Sequence, residues 1–462
     1  MHVCCIYVRA LHNLRNNIDN YKVNGALVPL GISYISSSLQ LAGYTTETIY
    51  CTEYTYSEGI KKYITKKPDV IAVSITSTSD YGLARELVGY LKKEIPDVKI
   101  IIGGIYVTLA RNKIVDQLEN IDALCIGAGE KAIVEYVKQV EKGEYTKTDN
   151  LWIKTGSELI KCDKVLSIEN LDELPFPDRK GWKRWIYCRE KQPLLLTRGC
   201  VYNCIFCANN ALRKVPDNKY FNERSVENVI DELKYIIKEY DYISEINVVS
   251  ENVLANPDKF RRLCVALKEI NDGLKNKLSF QLEFNFTYNL LDKDKDILQL
   301  MKDANIKWCC FSLESGSLEI RKKLKKPVYS NEQIIEFFGI LRNLGMNTAV
   351  WVMYCYPFET KQTYLETIRC LKLCKPDYIE YQFLSPIEYT DLSLFVDKLD
   401  YKKVKFIHKF RFNTLEFRVY VSYKSIIETL SILMPKNKYC RKIINFYSDL
   451  KNKIKQIYKK VS

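Results

Sequence analysis

Leu194-Leu195-Leu196-Thr197-Arg198-Gly199-Cys200-Val201-Tyr202-Asn203-Cys204-Ile205-Phe206-Cys207 decides how this chain is read. A short apolar run ends in a loop with the spacing C-x3-C-x2-C. Three thiolates on one short loop suit three corners of a cubane 4Fe–4S cluster, whereas a closed electron-transfer cluster takes four Cys. The iron without a protein ligand is then open to chelate a substrate or cofactor. S-adenosylmethionine offers an amine and a carboxylate for that purpose, and one electron from the cluster would cleave its C–S bond to give a carbon radical. Three other readings compete for the loop. Zinc sites use paired C-x2-C units or added His, but no second pair follows, and His2, His12 and His408 are all distant in sequence. A disulfide framework does not suit so large a chain. The third is chance clustering, because the chain has 16 Cys in 462 residues.

Outward from this loop, Gln192 to about Pro386 alternates strand-like and helix-like runs. Strands are expected at Pro193–Leu196, Glu245–Val249, Ser279–Phe284, Lys307–Leu313, Met346–Met353 and Tyr378–Phe383. Helices are expected near Val226–Lys238, Lys259–Ile270, Asp294–Asp303, Glu332–Leu344 and Tyr364–Cys374. This is the pattern of a partial (β/α)6 barrel, and in such barrels chemistry sits at the carboxyl ends of the strands. The cysteine loop follows the first strand, at that end. Ser250-Glu251-Asn252, Glu283, Asn285, Ser312 and Glu314 end later strands, where a carboxylate can accept two hydrogen bonds from ribose hydroxyls or one from an ammonium. Each can equally be a solvated strand-end residue.

The first 145 residues show a second alternation. Val3–Val8, Thr45–Tyr50, Val70–Ile75, Lys99–Ile102 and Ala123–Ile126 read as strands, and Ile32–Leu41, Gly82–Lys92 and Lys131–Val140 as helices. Leu83, Leu87, Val88 and Leu91 fall on one helical face, and Val70-Ile71-Ala72-Val73 is apolar on both faces, as a buried parallel strand should be. The expected fold class is therefore α/β. A doubly wound, Rossmann-like parallel sheet over 1–145 binds ligand outside the carboxyl ends of its strands. Ser74 and Thr76, then Gly103-Gly104, then Gly127 close three strands on that edge. Small residues there let a bulky ligand approach the backbone, although each could be an ordinary βα turn. Residues 146–190 read as a hairpin, Leu151–Thr155 with Glu158–Cys162, followed by an extended linker carrying Pro175 and Pro177. The barrel takes 191–390, and 391–462 is a basic, helical C-terminal region.

Together these features resemble the radical S-adenosylmethionine superfamily, whose signature is the C-x3-C-x2-C loop. Phe206 stands where relatives carry an aromatic near the adenine. Glu314-Ser315-Gly316 looks like the family's Glu-Ser-Gly strand end. Pro357-Phe358-Glu359-Thr360 looks like its Pro-Gly-Glu-Thr, with Phe in place of Gly. Leu171-Asp172-Glu173-Leu174-Pro175-Phe176-Pro177-Asp178 looks like the linker of the branch with an N-terminal cobalamin-binding domain, and Pro29-Leu30-Gly31-Ile32-Ser33-Tyr34 and Gly103-Gly104 are similar to segments of that domain. The resemblance implies cluster ligation by Cys200, Cys204 and Cys207. It implies S-adenosylmethionine contacts from Phe206, Glu251, Glu283, Ser312 and Glu314, and cobalamin contacts from Ser74, Thr76, Gly103, Gly104 and Gly127. No catalytic residue beyond the cluster ligands is assigned. Two departures stand out. Ser250-Glu251-Asn252 replaces the usual Asp pair or Gly-Gly-Glu. The Asp-x-His-x-x-Gly motif that supplies a cobalt-ligating His elsewhere is missing, the loop reading Ala10-Leu11-His12-Asn13-Leu14 instead. A cobalamin without a protein imidazole and a domain reduced to a scaffold both remain open.

Composition agrees with a large reduced enzyme. Hydrophobic residues make up 47% of the chain, ample for buried cores. No apolar run approaches the ~18 residues of a membrane span, and Met1–Arg9 reads as a strand rather than a leader. The other thirteen cysteines read as buried structural residues in a reducing cytoplasm. Residues 401–462 hold 16 Lys or Arg against 3 Asp or Glu, which is nearly all of the chain's +14. In the last helix Ile443, Tyr447, Leu450, Ile454, Ile457 and Val461 form an apolar stripe beside lysines, which fits a packed terminal helix, peripheral membrane contact or an anionic-substrate clamp. A nucleic-acid partner is disfavoured, because no recognised RNA-binding module accompanies the charge.

The expected activity is reductive cleavage of S-adenosylmethionine with cobalamin-dependent methyl transfer to an unactivated carbon of a small-molecule, lipid or peptide substrate. Electrons would come from an external donor such as flavodoxin or ferredoxin. The alternatives are a cobalamin-independent radical rearrangement or cyclisation, and a non-catalytic iron–sulfur or corrinoid-binding protein.

Overall fold

The computed structural model describes residues 1–10, 27–186, 190–215, 221–240, 242–354, 356–384 and 387–393. His12 and the basic stripe from Ile443 to Val461 lie outside the described residues.

Five strands of the N-terminal sheet run parallel: β1 (His2–Val8), β2 (Thr45–Cys51), β3 (Val70–Ser74), β4 (Lys99–Gly103) and β5 (Ala123–Cys125). Their order is β2-β1-β3-β4-β5, so the chain reverses direction across the sheet between β1 and β3. A crevice at the carboxyl ends of the strands belongs at such a reversal. Val70, Ile71, Ala72 and Val73 are all buried, because helices α1 (Leu30–Leu41), α2 (Thr78–Glu94), α3 (Ile105–Gln117) and α4 (Glu130–Lys142) cover the sheet.

The expected hairpin forms as β6 (Leu151–Thr155) and β7 (Glu158–Lys161). It adds antiparallel to β5, pairing Leu124 with Trp152 and Ala123 with Ile153. Leu151, Trp152 and Ile153 are buried there. The hairpin therefore covers an edge that would otherwise leave backbone groups unpaired.

The second sheet holds β8 (Lys191–Leu195), β9 (Glu245–Val249), β10 (Ser279–Phe284), β11 (Ile306–Glu314), β12 (Asn347–Tyr354) and β13 (Tyr378–Phe383), parallel and in sequential order. Among the described residues β8 and β13 do not pair, so the barrel is open on one side. Helices α5 (Ala208–Arg213), α6 (Val226–Glu239), α7 (Pro257–Gly273), α8 (Asp296–Asp303), α9 (Leu318–Lys323), α10 (Asn331–Asn343) and α11 (Lys361–Cys374) accompany it. Phe284, Phe286, Phe311 and Phe337 pack edge-to-face and tilted in its core. Every described cysteine outside the loop is buried, including Cys370 and Cys374 with sulfurs 3.9 Å apart.

The connecting segment is built into both units. Trp185 donates from Nε1 to Thr48 O at 2.7 Å, and Ser36 donates to Asp178 at 2.9 Å. On the barrel side Arg179 reaches Pro193 O and Glu232, both at 2.6 Å, and Arg224 also pairs with Glu232. All three side chains are buried, and each guanidinium is paired with the one carboxylate and hydrogen-bonded to backbone carbonyls, which offsets part of the cost of burying charge.

Candidate active site between two sheets

The cysteine loop leaves β8 through Thr197-Arg198, which pair antiparallel with Asn222-Glu223. Gly199 then turns the chain with φ +82°. Cys200 and Cys204 are buried, Cys207 is half-buried, and Cys207 is the residue from which α5 starts. The loop is clamped from the far end of α5. Arg213 donates to Tyr202 O at 2.8 Å and also to the carbonyl of Cys200 and to Asn203. A second clamp is the Ile205 amide, which donates to Leu324 O at 3.1 Å. The Cys200 sulfur lies 3.9 Å from Glu251 O and the Cys204 sulfur 3.9 Å from Lys325 O.

Among the described residues, no three or more His, Cys, Asp or Glu converge as ligands of a single ion. A cubane binds each of three thiolates to a different iron, so its ligands surround a cluster rather than meet at one ion. Burial pushes the Cys204 thiol up to about 11, opposed by the Lys326 ammonium, and the Cys207 thiol up to about 12. Ligation must therefore displace protons as iron binds. The donor set fits a cluster of this kind.

The carboxylates gather on the same side of the barrel. Glu314 ends β11 with φ +63°, at a break in the β11–β12 register. It is buried beside Lys326, whose Nζ lies 3.5 Å from Oε1 and donates to Asn285 at 2.6 Å. Desolvation raises the Glu314 pKa, and Lys326 opposes the rise. Glu283 accepts from Ser312 at 3.3 Å. Its pKa is raised by desolvation, with further contributions from Glu251 and Glu314. Glu251 accepts from Asn209 Nδ2 at 2.7 Å, and protein around it raises its pKa although the carboxyl opens onto a cavity. Phe206 packs with Ile205, Ile320, Leu324, Tyr356 and Leu392.

A cavity of about 430 Å³ lies between the two sheets. Its wall carries Ser74, Thr76, Gly103, Gly104 and Gly127 from the first sheet, and Gly199, Asn209 and Glu251 from the barrel. Phe206, Glu283, Ser312 and Glu314 do not line it, and of the cysteine loop Gly199 does but Cys200, Cys204 and Cys207 do not. Arg198 crosses the junction, pairing with Glu130 at 2.6 Å above the Tyr34 ring.

The glycines have a local reason to be glycine. A Cβ on Gly104, at φ +109°, would stand 2.4 Å from Ile75 O, and one on Gly127, at φ +80°, 2.6 Å from Val165 Cγ1. Their smallness is thus demanded by the turn before any ligand is considered. The Thr76 hydroxyl is engaged too, donating to buried Asp80 at 3.1 Å. The remaining wall is mainly aliphatic, and no histidine is among its described residues. It suits an apolar, ring-shaped group.

Sequence reasoning missed Arg213, Asn209, Arg198 and Lys326. Lys326 was hidden in the run Arg321-Lys322-Lys323-Leu324-Lys325-Lys326, whose other lysines are exposed.

Two family signatures match the chain: the radical SAM superfamily over residues 194–371 and a B12 binding domain over residues 17–137. The chain is a radical SAM protein with a B12-binding domain. The anaerobic magnesium-protoporphyrin IX monomethyl ester cyclase of Cereibacter sphaeroides is 24% identical to this radical SAM protein over 410 residues, covering 84% of it and 64% of the cyclase. The chain thus spans less than two thirds of the cyclase's length. An uncharacterised methyltransferase of Pyrococcus horikoshii is 26% identical, covering 79% of this chain and 77% of the relative. The fold matches that of TsrM from Kitasatospora setae, a radical S-adenosylmethionine methyltransferase solved with cobalamin and a [4Fe-4S] cluster bound. The TM-score is 0.67 at 15% identity, over 86% of this chain and 74% of TsrM. No helix among the described residues is long and apolar enough to cross a membrane.

Arg213→Ala removes every contact of the α5 clamp while leaving the three thiols in place. The expected result is a radical SAM protein that folds but retains less than about half of its iron after desalting, as supporting groups around a metal site commonly cost 10–100-fold in affinity. Iron analysis alongside circular dichroism checks this.

Proposed function

We propose that this protein reductively cleaves S-adenosylmethionine at a 4Fe–4S cluster held by Cys200, Cys204 and Cys207, and uses a corrinoid in the inter-sheet cavity to methylate an unactivated carbon. The observation that carries the reading is the single cavity whose wall takes in both the cysteine-loop side, at Gly199 and Glu251, and the first sheet's ligand edge, at Ser74 and Gly103. The methyltransferase relative and the fold shared with TsrM support methyl transfer. The cyclase relative supports a ring-forming radical reaction as the second reading.

When bound, the cluster supplies one electron and an open iron, and the corrinoid carries a methyl group. This chain's own residues do the rest. Arg213 and the Leu324 carbonyl hold the cysteine loop in shape. Glu251, oriented by Asn209, is placed to accept the amino-acid ammonium of S-adenosylmethionine, and Glu314 and Glu283, with Ser312, to accept hydroxyls. Leu30, Ile35 and Ile105 offer the cavity an aliphatic wall against which an apolar ring can pack. An external one-electron donor is required.

The test incubates anaerobically reconstituted, reduced protein with S-adenosylmethionine, with and without cobalamin. The reading expects 5′-deoxyadenosine in both cases and S-adenosylhomocysteine only with cobalamin. Deoxyadenosine with no S-adenosylhomocysteine under either condition favours the ring-forming alternative. Neither product contradicts both readings.

A further inference from the structure

The cysteine loop has an outer side as well as a cavity side, and the outer side is basic. Helix α9 ends at Lys323, and the next three residues alternate in direction. Leu324 is fully buried, Lys325 turns outward with φ +56°, and Lys326 turns inward beside Glu314. This segment lies against the loop through the Ile205–Leu324 backbone bond and the 3.9 Å approach of the Cys204 sulfur to Lys325 O. An exposed residue is therefore in direct contact with a candidate cluster ligand.

Around it, Lys322, Lys323, Lys325 and Lys214 are exposed. Lys323 is offset by Glu319 at 2.6 Å, and Lys214 by Asp391. Lys322 and Lys325 have no ion-pair partner among the described residues. Two exposed apolar side chains lie close to these charges in the sequence, Val201 at 46% exposure beside Cys200 and Val328 at 64% two residues after Lys326. Unpaired charge of one sign steers a partner of the other sign.

We infer that this face docks a small acidic one-electron donor of the flavodoxin type. The inference rests on the cluster reading above and adds the partner's landing site. The Cys200 sulfur instead meets Glu251 O, and Glu251 and Gly199 line the cavity. Electrons and substrate then reach the cluster from different sides. The step balances simply: an anionic flavin hydroquinone loses one electron to become the neutral semiquinone, the cluster gains that electron, and no proton moves.

The test uses full-length, cluster-loaded protein and follows cluster reduction by electron paramagnetic resonance after rapid mixing with reduced flavodoxin or with dithionite. Lys322→Glu/Lys325→Glu is expected to slow reduction by flavodoxin about tenfold or more at low salt, with the difference shrinking in 0.5 M salt, since screening shortens the reach of such charges. Dithionite should reduce both proteins at the same rate. Lys61→Glu/Lys62→Glu, on the first domain, should behave as wild type. Lys322→Gln/Lys325→Gln gives the intermediate effect should the reversal variant load its cluster poorly. Equal flavodoxin rates in wild type and variants would overturn the inference, and so would a matching loss with dithionite. A wild type that loads no cluster fails the underlying reading instead, so the two failures are distinguishable.

Discussion

Replacing Cys200, Cys204 and Cys207 together with alanine is expected to take bound iron from about four per chain to near zero and to abolish 5′-deoxyadenosine formation. The effect is large because these thiols are the only protein ligands in the proposed site. It should also be clean. The loop is shaped by groups other than its sulfurs, namely the Arg213 clamp and the Ile205–Leu324 backbone bond, both of which survive the substitution. Far-ultraviolet circular dichroism should therefore match wild type while the broad visible absorption of the cluster disappears. A triple variant that reconstitutes with four irons would mean the ligands lie elsewhere.

The second large effect is expected at Ser74. This residue ends β3, lines the cavity, and makes no side-chain hydrogen bond among those described. Protein produced with cobalamin supply should copurify with it, and Ser74→Trp should reduce that occupancy at least tenfold by filling the approach. Gly104 and Gly127 would be poor choices for the same experiment. A side chain at either meets its own fold first, so lost binding there would report a damaged turn. Cobalamin retained by Ser74→Trp would place the corrinoid elsewhere, and a wild type that never binds it would make the first domain a scaffold.

Much of this arrangement was legible in the sequence because the signals are local. Short strands read from closely spaced apolar residues interleaved with polar ones, which is why Glu245–Val249, Ser279–Phe284 and Tyr378–Phe383 have the same limits in the structure. The three loop cysteines are close in sequence, so their spacing alone points to a cluster. Helix α3 was not anticipated. Thr108, Arg111 and Asn112 interrupt its apolar pattern, and Thr108 is buried only because its hydroxyl joins Gly104 O to the Gly127 amide. The hairpin was visible, but its docking on β5 depends on partners far apart in the chain. The same limit hid Lys326, which meets Asn285 across 41 residues. The strand-end glycines have two reasons to be small. Gly103, Gly104 and Gly127 all line the cavity, and at Gly104 and Gly127 the backbone dihedrals and neighbouring atoms require glycine as well.

The central claim is that one cavity brings the cluster and the corrinoid together, and electron paramagnetic resonance tests it most directly. With both groups loaded and reduced to their paramagnetic states, one-electron-reduced cluster and cobalt(II), a spin in this cavity and one on the adjoining cysteine loop should broaden and split each other's signals. In Ser74→Trp the cluster signal should revert to that of protein carrying the cluster alone. Two unperturbed, superimposed spectra from fully loaded wild-type protein would contradict the account.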